Sequence, residues 1–571
     1  MVAGEGSRAI ALAAIVAAIV SATLPSTAVA SLRLPAARTA TLDSPLKVHP
    51  NRARLAKQQA SSPRSAPSNP ATSTATCDGT WQRVDAVNGA GDDYLNSLSG
   101  TSGTDMWAVG TTTAVLQQGP DFTLAEHWDG RGWTTVSTQN ATMSDDNILA
   151  GVSAAGKNDV WAVGAYVRAR DSSGNRIFAS LAEHYNGSVW GMAAVPNLGA
   201  GTNVLNAVVA LSANNAWAVG AQVPAGQQRL TTLIEHWNGA SWSVIGSPNT
   251  GSGNNALNDI VAIDANNIWA VGYYRPVNGS GSYRATLTLH WNGSAWSRVG
   301  SPNKVSGFDN TLYGVSGSGP NDLWAVGAYT QPPDNDPNTA DYADQTLTMH
   351  WNGLGWAIIP SPNPGNTGTP IMPAPGGHED LFAVVSRGPT EAWAVGTWAY
   401  VLPDPYTGPI YHTMALRWDG ARWNQNAYDI AGGTFAELDD IVSLGSVWAA
   451  GAMDWWTPSG NEVQPLVATV CSPPVVNALN PTSGPTRGGR PVSIKGAGLS
   501  MATQVLFGAV PAQGFTVVSD SSITAITPAE PAGAVDVTIQ YFAGTSGPTA
   551  GDRYTFMLPS PPGPWWSRLW R

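Results

Sequence analysis

Charged residues are scarce in this 571-residue chain: Asp, Glu, Lys and Arg together account for 12%, about half the usual share. Only two cysteines occur, and no Cys/His spacing suited to a metal site is present. No Gly-rich phosphate loop and no Ser-His-Asp arrangement is recognisable. No stretch beyond the N-terminus keeps the 3.6-residue apolar period of a helix. These absences argue against a helical fold and leave no motif for nucleotide binding or nucleophilic catalysis.

Glycine, proline and tryptophan are abundant instead, with 62, 42 and 25 copies. Apolar residues make up an ordinary 43% of the chain. Many turn formers combined with aromatic residues are typical of short strands joined by turns. The composition therefore predicts an all-β protein.

The first 30 residues have the pattern of an export signal. Ala9–Val20 is an uninterrupted apolar run, and Ala28-Val29-Ala30 fits a small-x-small cleavage site. We therefore predict a signal peptide over 1–30 and a secreted or cell-surface protein. The alternative is an uncleaved anchor, because Arg8 is offset by Glu5. No other segment is long and apolar enough to cross a membrane, so we expect no transmembrane segment in the mature chain.

Residues 31–76 are rich in Ala, Ser, Pro and Thr and carry seven basic residues against Asp43 alone. Such a composition cannot bury enough apolar surface to fold, which predicts a disordered basic linker. Subtracting its +6 and the neutral signal region from the total of −11 leaves −17 on the folded remainder. A body this acidic is a poor nucleic-acid binder, and we expect no nucleic-acid partner.

An internal repeat is the strongest pattern. The tetrapeptide WAVG or WAAG begins at Trp107, Trp161, Trp217, Trp269, Trp324, Trp393 and Trp448. Each unit of roughly 50 residues contains four short strand-like runs, which predicts a seven-bladed β-propeller over 77–471. A β-helix would need shorter rungs, and a string of small sandwiches would need linkers that are absent.

The second repeated element, written HWNGSAW at His290–Trp296, predicts a tight hairpin. Asn followed by Gly tolerates positive φ between two strands. The equivalent histidines, at 127, 184, 236, 290 and 350, fall on different blades and cannot form one active site. We interpret them as scaffold.

The repeat resembles known propeller families without matching one. Its Asn/Asp-Gly-x-x-Trp hairpin is similar to the Asp-box, but His-Trp replaces the Ser-x-Asp that opens that motif. Its length and Gly/Trp content are similar to kelch repeats, but the double glycine after the second strand is absent.

Both cysteines are predicted to lie at the seam of the ring. The run from Cys77 through Trp81 matches a hairpin and fourth strand without the first three, and the last unit stops at Cys471, where its hairpin is due. The first strand should therefore complete the seventh blade. In an exported protein a Cys77–Cys471 disulfide follows; the alternative is two unpaired buried cysteines.

Residues 472–558 resemble the IPT/TIG family, an immunoglobulin-like β-sandwich. The matching residues are Pro481, Ser483, Gly484, Pro485, Gly488, Gly489, Gly496, Gly498, Phe507, Gly508, Pro528 and Gly533. The resemblance implies a spacer or an interaction module and no chemistry. The remaining residues, 559–571, form a Trp- and Arg-rich tail that we interpret either as frayed or as lying at a membrane interface.

Binding residues are expected on one face of the propeller, where the loops between strands two and three and between blades are long and varied. Exposed aromatic side chains there would suit a sugar or a peptide. The candidates are Tyr166, Tyr273, Tyr274, Tyr329, Trp398, Tyr400, Trp455 and Trp456. The alternative is that these side chains pack the loops against one another.

No residue is assigned a catalytic or metal-binding role, and no cofactor is expected. The one weak exception is Ca²⁺ near Asp334 and Asp336, in a loop that also holds Asp341 and Asp344. Solvated carboxylates are the simpler interpretation of that loop.

Two functions remain open. The favoured one is an exported, non-catalytic and monomeric protein that binds an extracellular glycan or protein through the long-loop face. The alternative is an extracellular carbohydrate-active enzyme, a glycosidase or lyase, whose paired carboxylates would come from distant loops.

We expect peptide mapping by mass spectrometry under non-reducing conditions to recover Cys77 joined to Cys471. Closing a loop of about 400 residues would constrain the unfolded chain by roughly 5–6 kcal/mol in the chain-entropy model. Recovery of both peptides with alkylated, free thiols would contradict the bond.

Overall fold

The computed structural model describes residues 79–89, 91–115, 118–277, 283–331, 343–364, 378–400, 410–428, 430–431, 435–457 and 460–558. The predicted signal peptide, the basic linker, Cys77, the pair Asp334 and Asp336, and the tail 559–571 lie outside these residues. No helix among the described residues has the length and apolar content needed to span a membrane.

The chain is all-β, as predicted. Between residues 81 and 470 its strands form four-stranded antiparallel sheets, and six of them pair four successive strands in chain order. The first three are β2–β5 (Asp93–Ser102, Asp105–Val115, Gln118–Trp128, Trp133–Thr135), β6–β9 (Asn147–Gly156, Asp159–Arg170, Arg176–Tyr185, Trp190–Met192) and β10–β13 (Asn203–Ser212, Asn215–Gln222, Thr231–Trp237, Trp242–Val244). The next three are β14–β17 (Asn255–Asp264, Asn267–Tyr274, Ala285–Trp291, Trp296–Val299), β18–β21 (Asn310–Gly319, Asp322–Gln331, Ala343–Trp351, Trp356–Ile359) and β22–β25 (Glu379–Gly388, Glu391–Tyr400, Ile410–Trp418, Trp423–Tyr428).

The last sheet joins both ends of this region. It consists of β26 (Ala436–Leu444), β27 (Ser446–Thr457), β28 (Gly460–Val470) and β1 (Trp81–Val84), which is the outer strand. β1 runs antiparallel to β28, with Trp81 opposite Val470 and Val84 opposite Val467. The prediction that the opening strand completes the last sheet is confirmed.

The first strands of the sheets contact one another in succession, and β26 contacts β2. Polar side chains support this inner layer. At the junction of the last sheet with the first, Ser97 Oγ donates to Asp440 Oδ2 over 2.7 Å, and the Leu98 N–H donates to the same oxygen over 2.8 Å. The arrangement of the sheets is propeller-like.

The hairpin between the third and fourth strands forms as the Asn-Gly pair predicts. In the fourth sheet Gly293 has φ of 90°. Asn292 Oδ1 accepts hydrogen bonds from the backbone N–H groups of Ser294 and Ala295, both over 3.0 Å. Trp291 and Trp296 face each other across the hairpin.

The repeated histidine lies on the ring of the repeated tryptophan in its own sheet. Ring centroids are 4.2–4.5 Å apart for Trp107–His127, Trp161–His184, Trp217–His236, Trp269–His290 and Trp324–His350. Each histidine Nε2 also lies within hydrogen-bond distance of the Asp or Asn two residues before that tryptophan, as His127 does at 2.7 Å from Asp105 Oδ1 and His290 at 2.8 Å from Asn267 Oδ1. The histidines are structural, in agreement with the scaffold interpretation.

The same tryptophan packs against an aromatic residue of the following sheet, which joins adjacent sheets. Centroid distances are 5.0 Å for Trp161–Trp242 and 4.9 Å for Trp324–Trp423. At the seam the pattern continues: Trp393 of the sixth sheet meets Trp81 of β1 at 5.9 Å, and Trp448 of the last sheet meets Trp128 of the first at 5.3 Å.

Three buried glutamates precede the histidine position in the first three sheets. Glu126 accepts a hydrogen bond from the Val87 N–H (3.3 Å), and Glu183 accepts one from the Gln139 N–H (3.0 Å). Both donors lie six residues after the fourth-strand tryptophan of the preceding sheet. For Glu235 the equivalent residue is Pro196, which has no N–H, and neither carboxyl oxygen of Glu235 has a partner among the described residues.

In the next three sheets the residue before the histidine position is apolar, and the loop after the preceding sheet has a proline in place of the N–H donor. The residues that correspond are Leu289 and Pro248, Met349 and Pro302, and Leu416 and Pro362. Burial raises the pKa of Glu126 and Glu235 to about 8 and that of Glu183 to about 7. Glu235 and Pro196 are therefore mismatched, because the buried carboxyl group of Glu235 has no hydrogen-bond donor.

Residues 475–557 form a two-sheet sandwich. One sheet has the order β29-β31-β35-β34, and the other has the order β30-β38-β36-β32-β33 with β37 paired to β36. The strands are β29 (Val475–Asn480), β30 (Ser483–Pro485), β31 (Pro491–Ala497), β32 (Gln504–Phe507), β33 (Val510–Pro511), β34 (Gly514–Ser519), β35 (Ser522–Ile526), β36 (Gly533–Tyr541), β37 (Gly544–Thr545) and β38 (Arg553–Met557), with a 3-10 turn at Leu499–Met501. Its core includes Val492, Ile494, Phe507, Ile523 and Tyr554.

We expect Glu235→Leu to stabilise the protein by about 1–3 kcal/mol, because it removes a buried carboxyl that has no hydrogen-bond donor. Chemical denaturation monitored by tryptophan fluorescence measures this change. Glu183→Leu is the matched control: it leaves the Gln139 N–H without its acceptor and should bring no gain. Equal effects of the two variants would contradict the mismatch.

The pH dependence follows from the same glutamates. Their pKa values are raised in the folded state, so the folded chain binds more protons than the unfolded chain, and stability falls as pH rises from about 4.5 to about 8. The thermal midpoint measured across this range should decline, and Glu235→Gln should flatten the decline. A Glu235→Gln profile parallel to that of the unmodified protein would disprove the assignment.

Candidate functional site

The strand order separates two kinds of connection. The turns between strands one and two and the hairpins between strands three and four emerge on one face, here called the hairpin face. The loops between strands two and three and between sheets emerge on the other, the long-loop face. The first residues of β18, β20 and β22 and the last residues of β15, β19 and β23 therefore lie on the long-loop face.

An asparagine opens the first strand in sheets two to five and fastens the preceding loop. Asn310 shows the pattern: its Nδ2 donates to the carbonyls of Val305 and Phe308, both over 2.8 Å, and its Oδ1 accepts from the Lys304 N–H over 2.7 Å. The equivalents are Asn147, Asn203 and Asn255. In the sixth sheet the sequence at this point is His378-Glu379-Asp380, so charged side chains replace the structural amide.

Two of these charged residues meet an aspartate from the fifth sheet. His378 Nδ1 lies 2.9 Å from Asp344 Oδ2, and Asp344 Oδ1 accepts a hydrogen bond from Thr330 Oγ1 over 2.7 Å. Ligand atoms of Asp344, His378 and Asp380 all lie within 4.8 Å of one another, and all three residues are partly buried. Their carboxylate oxygens and imidazole nitrogen can accept hydrogen bonds from sugar hydroxyls or coordinate a divalent cation.

Tyr313, four residues into β18, is the phenol of this cluster. Burial raises its pKa, with Asp380, Asp344 and Asp309 acting in the same direction and Arg284 in the opposite one. The Asp309 carboxylate accepts a hydrogen bond from the backbone N–H of Arg284 over 2.7 Å. The site therefore combines a protonated phenol, three aspartates, one histidine and one guanidinium. We call this set, Arg284, Asp309, Tyr313, Asp344, His378 and Asp380, the polar cluster.

One of the predicted aromatic residues, Tyr273, borders the polar cluster, and two others, Tyr329 and Trp398, are related to the neighbouring Glu379. The Arg284 guanidinium lies 4.7 Å above the ring of Tyr273. Burial raises the pKa of Tyr329, and the negative charge of Glu379 raises it further. Trp398, opposite Glu379 in the β22–β23 ladder, stacks on His412 with ring centroids 5.1 Å apart.

The expected exposure is wrong for two of these residues. Tyr273 is 4% and Tyr329 8% exposed, because both pack into the cores between sheets. Tyr166 and Tyr274 are partly buried, and Tyr274 is covered by Arg298, whose guanidinium lies 4.8 Å above its ring. Tyr400, Trp455 and Trp456 belong to strands β23 and β27, but their side chains lie outside the described part of the molecule. Ligand binding by the eight residues stays a prediction.

Sequence reasoning did not identify the polar cluster as a site. It named Asp344 only as part of an acidic loop and assigned no role to the other five residues. The available signal was the departure from the repeat: the sixth unit has His-Glu-Asp where earlier units have an asparagine followed by Ile, Val, Ala or Thr. The fifth has Tyr313 where the third and fourth have asparagines.

A family match covers the C-terminal part of the chain: residues 474–556 match the IPT/TIG domain family. This segment is an IPT/TIG domain. The match ends within two residues of each predicted boundary. No curated protein matches the chain.

Among solved structures, the chain is similar to YCF48 bound to D1 peptide, at 12% identity and a TM-score of 0.38, covering 69% of this chain and 98% of that one. A GH74 xyloglucanase from Xanthomonas campestris gives 12% identity and 0.37, covering 73% and 59%. A PL25 ulvan lyase gives 11% identity and 0.38, covering 67% and 95%. At these identities the likeness concerns the fold alone and does not separate binding from catalysis.

Proposed function

We propose that the protein is an exported binding protein in which a closed, seven-bladed propeller presents the polar cluster on its long-loop face to a glycan. The observation that carries the proposal is the gathering of six polar and charged side chains. Asp309 repeats the structural role of Asp146 and Asn254, whereas Asp380 stands where earlier units have Ile, Val, Ala or Thr. Together with the signal-like N-terminus, this gathering favours recognition outside the cell.

The charge balance of the site indicates the class of glycan. Asp309, Asp344 and Asp380 outnumber the fixed positive charge of Arg284, and the folded remainder of the chain carries −17 by the count above. An anionic sugar would be repelled, whereas the hydroxyls of a neutral sugar can donate to the carboxylates. We therefore propose a neutral glycan, with Trp398 supplying an aromatic surface beside it.

The Cys77–Cys471 disulfide is part of this proposal. Cys471 is 3% exposed and directly follows β28, and its carbonyl accepts a hydrogen bond from the Gly79 N–H over 2.9 Å. Cys77 precedes Gly79 by two residues in the sequence, and this short spacing supports a bond to Cys471. In an oxidising compartment the bond would link the two ends of the sheet region covalently.

A second candidate is the carbohydrate-active enzyme. It is favoured by the contact between His378 and Asp344 beside Tyr313, because a carboxylate-oriented imidazole and a phenol are groups that transfer protons. In that case the same residues would act on the bound sugar.

We expect a glycan array probed with the 77–571 protein to show binding to neutral glycans and little binding to sulfated or uronic-acid glycans. Asp380→Asn should weaken the affinity about tenfold or more, because it removes a charged acceptor. Asp264→Asn, at the exposed last residue of β14 on the hairpin face, is the control and should bind as the unmodified protein does.

Turnover separates the candidates. Incubating the bound glycan with the protein and analysing the products by mass spectrometry should show intact sugar. Cleavage that His378→Ala abolishes would replace the binding proposal with the enzyme, and absence of binding to any glycan would refute both.

A further inference from the structure

Six of the seven repeated tryptophans have a cap from their own sheet. In five sheets the cap is the histidine described above, hydrogen-bonded to an Asp or Asn at the start of the second strand. The sixth sheet keeps the arrangement with other residues: Arg417 stands 5.2 Å above the ring of Trp393 and donates to Glu391 Oε1 over 3.0 Å. Arg417 and Glu391 therefore take the places of the histidine and its Asp or Asn partner, although both residues differ.

The last sheet has neither member of the pair. Thr469 occupies the histidine position, opposite Trp448 in the β27–β28 ladder, and Ser446 stands two residues before Trp448. The Thr469 hydroxyl instead donates to the Val447 carbonyl over 2.9 Å. Both side chains are too short to cover an indole ring.

Residues of the IPT/TIG domain contact Trp448 and Ser446 instead. The Phe542 ring lies 5.4 Å from that of Trp448 and 5.8 Å from that of Trp128, the aromatic partner across the seam. Ser446 Oγ, which has no histidine to contact, donates to Met501 Sδ. Met501 is 1% exposed and packs with Cys471, Tyr541 and Phe542.

Glycines on the hairpin face allow this close approach. A Cβ added at Gly445, which has φ of 84°, would lie 1.9 Å from Ser500 Oγ, and one added at Gly103 would lie 3.3 Å from Met501 Cγ. Gly445 belongs to the last sheet and Gly103 to the first. The IPT/TIG domain therefore contacts both sides of the seam.

We propose that the IPT/TIG domain is a built-in complement of the last sheet, in which Phe542 replaces the missing histidine and Met501 replaces its contact with the second strand. The domain holds the last and first sheets together from the hairpin face. It is thus not a freely moving spacer, and its orientation relative to the sheets is fixed by the same aromatic packing that joins one sheet to the next. This inference is independent of the proposed ligand.

The test uses the 77–571 protein, which contains both the sheets and the IPT/TIG domain, and thermal unfolding followed by near-ultraviolet circular dichroism of the tryptophans. Phe542→Ala should lower the midpoint by about 3–6 °C, since it uncovers two indole rings at the seam. Val518→Ala, at a side chain that is 65% exposed on the IPT/TIG domain, should leave the midpoint unchanged. An unchanged midpoint for Phe542→Ala would overturn the proposal.

A rescue separates this role from general damage to the domain. Adding Ser446→Asp and Thr469→His to Phe542→Ala restores the pair used by the other sheets and should recover most of the lost midpoint. The same two changes in the presence of Phe542 should lower the midpoint, because the histidine and the phenylalanine compete for one site on Trp448. Failure of the rescue would show that Phe542 acts otherwise than as a substitute for the histidine, which would also overturn the proposal.

Discussion

The contact on which this structure depends is the packing of one tryptophan per unit between two partners. In five sheets a histidine of the same sheet stacks on the ring, in the sixth Arg417 does so, and in every sheet an aromatic residue of the following sheet packs against it. Because the second partner always belongs to the next unit, no sheet can complete its own core. The contacts of Trp393 with Trp81 and of Trp448 with Trp128 extend this dependence through the seam, so the first strand is required by the last sheet.

The fold could be predicted in detail because its determinants are local and repeated. The WAVG runs, the Asn-Gly turns and the incomplete units at both ends each specify a piece of strand pairing, and repetition makes each piece visible. The scaffold role of the histidines was predictable for the same reason. The glutamate and proline positions were equally visible in the sequence, but their meaning depends on which N–H group faces which carboxyl, and spacing alone does not give that register.

The site was predictable only as a face. Loop length indicated the long-loop face, but aromatic content was a poor guide to individual residues, since Tyr273 and Tyr329 contribute to the cores. The polar cluster draws its residues from three successive units whose loops differ in length. Only the folded chain brings Asp344 to His378. The docking of the IPT/TIG domain was missed for a related reason: the short residues Ser446 and Thr469 become informative only when Phe542 is seen above Trp448.

The pairing of each exit loop with the third strand of the next sheet has a consequence for how such a chain can be rearranged. A unit cut out at its loops keeps one residue from its contact with the preceding unit and one from its contact with the following unit. Moving it elsewhere could place Leu289 or Met349 opposite a backbone N–H that needs an acceptor, or a glutamate opposite a proline. The segments look interchangeable by their tryptophans, yet the glutamate or apolar residue of each described junction, apart from that of Glu235 with Pro196, is matched to the loop that it faces. Shuffling or duplicating them would therefore require cuts through the middle of a sheet, as occurs naturally between β28 and β1.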